Sequence, residues 1–163
     1  MKKQLKSFGC AIKGFCGAVC DEGHLRFHLV AAVYVLVFSL FYHFSAAQTA
    51  VLVILIASVI AAELFNTAIE NVCDLVTKER SYYVRLAKDI SAAAVLVLSI
   101  AAIAVAVVFF WNAAALAAMF GFFAANPLLA ALLLLSAVFA VIFVVTGPGK
   151  IRERISKKRK PKG

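Results

Sequence analysis

In the segment AAELFNTAIENVCDL, Glu63, Asn66, Thr67, Glu70 and Asp74 recur at helical spacing. On a helix turning about 100° per residue they share one flank roughly 100° wide, while Leu64, Phe65, Ile69 and Val72 take the other side. The segment ends an otherwise uncharged run of membrane length, where any unneutralised carboxylate is expensive. Asn66 and Thr67 alone would suit helix-to-helix hydrogen bonding, which neutral side chains supply at under about 1 kcal/mol each. Two glutamates and an aspartate on the same flank point instead to ion binding, on a face turned into a bundle or across a subunit contact.

Two further charged groups can converge on this flank. Asp21 and Glu22 precede the first long apolar run, and Lys88 with Asp89 precedes a later one. Magnesium prefers octahedral oxygen ligands and usually keeps waters while contacting one or two carboxylates and substrate phosphates, which Glu22 and Glu70 could supply. Lys13, Arg26 and Lys88 could neutralise phosphate oxygens as phosphoryl transfer requires. His28 and His43 stand alone in apolar sequence and read as satisfied or interfacial side chains, while His24, close to Glu22, is left open. Cys10, Cys16, Cys20 and Cys73 lack metal-ligand spacing and read as small apolar packers. There is no GxxxxGK[ST] loop and no soluble-kinase signature, so any nucleotide site is of another kind.

The elements that must hold these groups are membrane spans. No Asp, Glu, Lys or Arg occurs from Phe27 to Ala62 or from Ile90 to Gly149, and 64% of the 163 residues are apolar. Crossing a hydrocarbon core about 30 Å thick takes roughly 20 apolar helical residues. The chain therefore reads as an all-α polytopic membrane helix bundle. An amphipathic surface helix over Lys2 to Val19 carries Leu5, Phe8, Ile12 and Phe15 on one stripe. Spans follow at about 27–44, 50–76 and 90–111, and a fourth at about 127–145 within an extra apolar segment, 112–149. Residues 113–125 are too short to cross alone and fit either an interfacial helix or a continuation of a neighbour. Trp111 suits an interfacial anchor, and Gly147, Pro148 and Gly149 end the last helix.

The formal charge of +9 does not indicate nucleic acid, because eight basic residues against one acid crowd into 150–163 and the rest is nearly balanced. Such a tail fits anionic lipid headgroups, at about 1 kcal/mol per basic residue near the surface. Basic residues fall only in 2–26, 78–88 and 150–162, and four spans put all three groups, both termini and every acidic residue on the cytoplasmic side of a bacterial inner membrane.

The stretch AELFNTAIENVCDL, the charged loop after it and RLAKDISAAAVL together resemble the signature of the bacterial membrane diacylglycerol kinase and undecaprenol kinase family. FGCAIKGF and DEGHLRFH resemble that family's N-terminal helix and its entry to the first span, so the resemblance runs from about residue 5 to 111. It implies transfer of the ATP γ-phosphate to a lipid hydroxyl with Mg2+. It further implies Glu63 as general base, Glu22 and Glu70 as carboxylates holding Mg2+ with ATP, Lys88, Asp89 and Glu79 as nucleotide-facing residues, and Asn66 as a site organiser beside Asp74. Family members are typically three-span homotrimers, so the segment after Asn126 and the basic tail are additions. Ala92 stands where one branch has serine and leans the reading toward undecaprenol as acceptor. A non-enzymatic alternative, an ion-translocating or assembly subunit, would use the Glu63 to Asp74 stripe as a cation path; against it, the stripe sits at one membrane edge instead of the midplane.

Overall fold

The computed structural model describes residues 2–76 and 81–149, with side chains from residue 4 onward. Glu79 and the basic tail lie outside the described residues. Six helices are present among those described: α1 (Lys2–Asp21), α2 (Gly23–Ser39), α3 (Ala46–Val76), α4 (Tyr82–Phe110), α5 (Ala113–Ala125) and α6 (Pro127–Thr146). The all-α membrane bundle expected from the apolar runs is therefore observed.

Local chemistry sets the breaks. Glu22 adopts an extended backbone (φ −99°, ψ 119°) and separates α1 from α2. At the start of α3, Ser45 N–H donates to Gln48 Oε1 at 2.9 Å and Gln48 N–H donates to Ser45 Oγ at 3.3 Å, a reciprocal cap that satisfies two otherwise orphaned donors. With no Gly or Pro in its interior, α3 then runs unbroken for 31 residues, about 46 Å, longer than the hydrocarbon core. Its acidic end must protrude. Asn112 Oδ1 accepts from Ala115 N–H at 3.0 Å to open α5, and Asn126 Nδ2 donates to Phe122 O at 2.8 Å to close it before Pro127 starts α6. The run at 113–125 is thus a separate helix, not an extension of either neighbour.

Three helices, α3, α4 and α6, have the length and apolarity to cross a membrane. The helix over the expected first span at 27–44, α2, is not among these three: it has 17 residues, about 26 Å, and lies at Gly23–Ser39. α4 begins at Tyr82, eight residues ahead of the expected start, so Lys88 and Asp89 sit inside a helix instead of before one. The spans alternate in direction. One end of the bundle gathers the start of α2, the end of α3, the start of α4 and the end of α6. The opposite end is aromatic: Tyr42 Oη donates to Phe110 O at 3.2 Å, Phe44 packs on Phe109 and Phe110, and Phe41 meets Phe122 and Phe123 of α5. Trp111 is exposed nearby.

α3 packs mainly on α4, and α2 is flanked by α3 and α6. Tyr34 Oη and Ser136 Oγ, 2.8 Å apart, link α2 to α6 partway along. A stronger tie lies at the acidic end. The Arg26 guanidinium, 2% exposed, donates to Val19 O and Cys20 O at 2.9 Å and twice to Val144 O at 3.2 Å. It thereby satisfies carbonyls at the C-termini of both α1 and α6, where the helix dipoles favour a cation. Gly147 follows with φ +57°, and a Cβ there would lie 2.5 Å from Arg26 Cζ. The stripe Leu5, Phe8 and Ile12 of α1 is open to its surroundings, as an interfacial helix requires. Of the four cysteines only Cys73 is buried, so Cys10 and Cys16, exposed on α1, are not core packers.

Arg26→Ala leaves those carbonyls unpaired and is expected to cost on the order of 2–3 kcal/mol in detergent thermal unfolding. Gly147→Ala, which must displace the guanidinium, lowers the melting temperature in the same direction. Ser136→Ala, losing one interhelical hydrogen bond, costs under about 1 kcal/mol.

Candidate active site

The polar flank of α3 graduates from buried to exposed along its length. Glu63 is 4% exposed and Thr67 7%, Asn66 and Glu70 are half-buried, and Asp74 is open. Glu70 lies two turns beyond Glu63, about 10 Å along the axis, and Asp74 one turn further. The buried member carries a partner: His28 Nε2 of α2 lies 3.2 Å from Glu63 Oε1. Thr67 Oγ1 donates to Glu63 O at 3.0 Å, so its hydroxyl is spent on its own helix.

Glu70 is oriented from α4 through a relay. Asn66 Nδ2 donates to Glu70 Oε1 at 3.0 Å, and Ser91 Oγ lies 2.6 Å from Asn66 Oδ1. An ionised carboxylate only accepts, so the amide must turn its N–H toward Glu70 and its oxygen toward Ser91. Ser91, 7% exposed and also 2.9 Å from Lys88 O, thus holds Asn66 and through it Glu70. Beyond it, Lys88 Nζ pairs with Asp74 Oδ1 and joins the same two helices near the surface.

Glu22 approaches from the α1–α2 junction. It is the N-cap residue of α2 yet makes no side-chain capping bond, which leaves its carboxylate free. Burial, and then the negative charge of Glu70, raise its pKa above the ordinary carboxylate range. Two carboxylates that feel each other are the setting in which a cation is favourable. Among the described residues no three His, Cys, Asp or Glu side chains stand close enough to cage a metal. Glu22 and Glu70 are oxygen donors of the kind magnesium takes alongside phosphates and waters.

Two concavities flank these groups. A cleft of about 500 Å³ opens between α1 and α3, walled by Gly14, Gly17 and Ala18 with Asp21 and Glu22 on one side and Thr67 and Asn71 on the other. Its size lies within the range of small-molecule sites. An apolar groove of about 100 Å³ runs down between α2, α3 and α4, past Ala31, Val35, Ile56, Val59 and Ala102, with His28 among its lining residues.

The structure therefore gathers Glu22, Glu63, Asn66, Glu70, Asp74 and Lys88 at one end of the bundle. Asp89 is exposed on α4, and Lys13 is exposed on α1 with no ion pair among the described residues. Arg26 is turned away from the expected phosphate-neutralising role, since backbone carbonyls take four of its five N–H donors. Glu79 falls outside the described residues. Sequence reasoning missed Ser91, Asn71 and the pairing of His28. An ionisable side chain inside an apolar run was itself the signal for His28, whereas nothing local marks Ser91.

Comparison with known proteins finds relatives by sequence. The profile of prokaryotic diacylglycerol kinase matches residues 9–110. The undecaprenol kinase of Bacillus subtilis is 32% identical over 100 residues, covering 61% of this chain and 81% of that protein. The diacylglycerol kinase of a Synechocystis species is 38% identical over 103 residues, covering 62% of this chain and 58% of that protein. The segment holding α5 and α6 lies beyond the matched residues.

Because the fold keeps Glu22 protonated to higher pH than the unfolded chain does, its ionisation costs stability once pH rises through the folded-state value, and the cost vanishes below the ordinary value of 4.5. Glu22→Gln is therefore expected to raise the melting temperature of metal-free protein modestly at pH 7. Near pH 4 the variant and the parent melt together. Equal melting at both pH values is the result that contradicts this.

Proposed function

Since the chain belongs to the prokaryotic diacylglycerol kinase family, a family of lipid kinases, we propose that it transfers the γ-phosphate of ATP to the hydroxyl of a membrane lipid alcohol of the diacylglycerol or undecaprenol type. The observation that carries this reading is the position of Glu63. The carboxylate is buried beside His28, which lines the apolar groove, and one helical turn from Asn66, which donates to Glu70. A lipid lying in the groove would bring its polar head to the carboxylate, while a nucleotide would meet the acidic end from water.

In this mechanism Glu63 accepts the proton of the lipid alcohol as its oxygen attacks phosphorus. Glu22 and Glu70 are the residues that would hold Mg2+ with ATP, and Asn66, held by Ser91, keeps Glu70 aimed. Bound magnesium would supply charge neutralisation for the phosphates. Lys88 and Asp89 face the nucleotide, as the family resemblance also implies for Glu79, and Lys88 exchanges Asp74 for a phosphate oxygen when ATP binds. The cleft beside Glu22, walled by small residues of α1, has room for such a ligand. Catalysis is alignment plus charge neutralisation, with the lipid entering laterally.

The same reading puts both termini and the acidic end at the cytoplasmic face of a bacterial inner membrane. Homotrimeric assembly accords with the apolar surface that α4 leaves uncovered, and the basic tail would rest on anionic headgroups. The ion-translocating or assembly-subunit alternative has no observation in its favour.

In mixed micelles with labelled ATP, the purified protein is expected to phosphorylate at least one of the two lipid alcohols. Glu63→Gln should lower kcat by about 10³-fold, within the range of a lost general base. Glu70→Gln should raise the magnesium concentration needed for half-maximal rate. Phosphorylation of neither lipid refutes the function, and normal turnover by both variants refutes the roles.

A further inference from the structure

The Glu63 carboxylate has one charged or polar side-chain partner among the described residues, and it comes from a different helix. His28 Nε2 stands 3.2 Å from Oε1, with the imidazole side chain 19% exposed and the carboxylate 5%. The pair forms at the level where α2 and α3 have just entered apolar surroundings. There a lone carboxylate would be both costly and free to swing between rotamers. Phe27 packs edge-on against the imidazole, ring centres 5.4 Å apart, on the same helix.

The apolar groove adds a second, independent observation. Every one of its other lining residues is Ala, Val, Leu or Ile, so His28 supplies its only ionisable side chain. A lipid whose chain follows Val59, Ala102 and Val35 meets its first polar protein atoms at His28, and Glu63 immediately behind. The imidazole touches one carboxylate oxygen, Oε1, and the other has no side-chain partner among the described residues.

Resting on the kinase reading above, we propose that His28 is a positioning residue for the reaction: its Nε2–H donates to Glu63 Oε1 and holds Oε2 toward the mouth of the groove, where the lipid hydroxyl arrives. The lipid O–H bond breaks and its proton goes to Glu63 Oε2. The lipid oxygen forms the new bond to the γ-phosphorus, and the bond from that phosphorus to the β–γ bridging oxygen breaks, so ADP leaves with the electron pair. His28 acts through Glu63 and gains or loses no atom. Because reacting groups must be aligned within a few tenths of an ångström, an untethered base loses rate without losing nucleotide binding.

The test compares His28→Leu, His28→Gln and His28→Asn in the micelle assay, with kcat and the KM for ATP measured separately. A glutamine amide places its nitrogen at the reach of Nε2, whereas the shorter asparagine does not. His28→Leu is expected to lower kcat on the order of 10²-fold with the KM for ATP within twofold of the parent. His28→Gln should recover most of that loss, and His28→Asn should not. If His28→Leu fails to fold, the contrast between the two amides decides: equal rates overturn the proposal. Wild-type kcat in His28→Leu overturns it as well. Should Glu63→Gln be inactive while His28→Leu turns over normally, this inference alone fails. If Glu63→Gln is itself active, the assignment of the base fails instead.

Discussion

A carboxylate next to hydrocarbon must be neutralised or shielded, and the packing of this bundle answers that demand at Glu63. His28 meets it from α2, which fixes how α2 and α3 face one another at the acidic end. Once that face is set, the groove below His28 and the polar flank above it are consequences of the same contact. Going up α3, the acids become progressively more exposed and their partners differ: Glu70 has an amide, and Asp74 at the surface has a lysine. A buried pair of this type contributes little net stability, because desolvation offsets the attraction. Its retention where neutral packing would serve is better understood through the chemistry proposed for the carboxylate than through folding.

The extra apolar segment is joined to the rest by a different device. Arg26 gathers carbonyls from the last turns of α1 and α6 in a site 2% exposed, while Gly147 leaves room for its guanidinium. Gly149 then passes close to Cys20 O at the end of α1. Helix C-termini present unsatisfied acceptors and partial negative charge, so one planar cation with a fork of donors can serve two of them together. In consequence α6 is fastened to α2 at the acidic end by Arg26 and partway along by Tyr34 and Ser136. The family-matched part, residues 9–110, keeps its α3–α4 contact free of this addition.

Much of the architecture could be read from the chain before any coordinates. Long runs without charge mark the spans, and the three-and-four spacing from Glu63 to Asp74 assembles one polar flank. The start of α4 was misjudged because hydropathy registers where hydrocarbon begins, and a helix is free to begin earlier in water, as it does at Tyr82. The family resemblance likewise rested on local motifs, and the profile match at residues 9–110 covers the same region.

The partnerships were another matter. Sequence alone determined that Glu63, Asn66 and Glu70 share a side of one helix, because a period of 3.6 residues sets the angle of each side chain about its own axis. It is silent on which helix comes to meet that side, since the same pattern tolerates several neighbours and crossing angles. Only the tertiary structure decided that His28, read as an isolated histidine, closes on Glu63, that Ser91 steadies Asn66 from α4, and that Arg26 turns to helix carbonyls. A long cation or an imidazole has many acceptors within reach of its backbone, and the packing of the remaining helices selects among them.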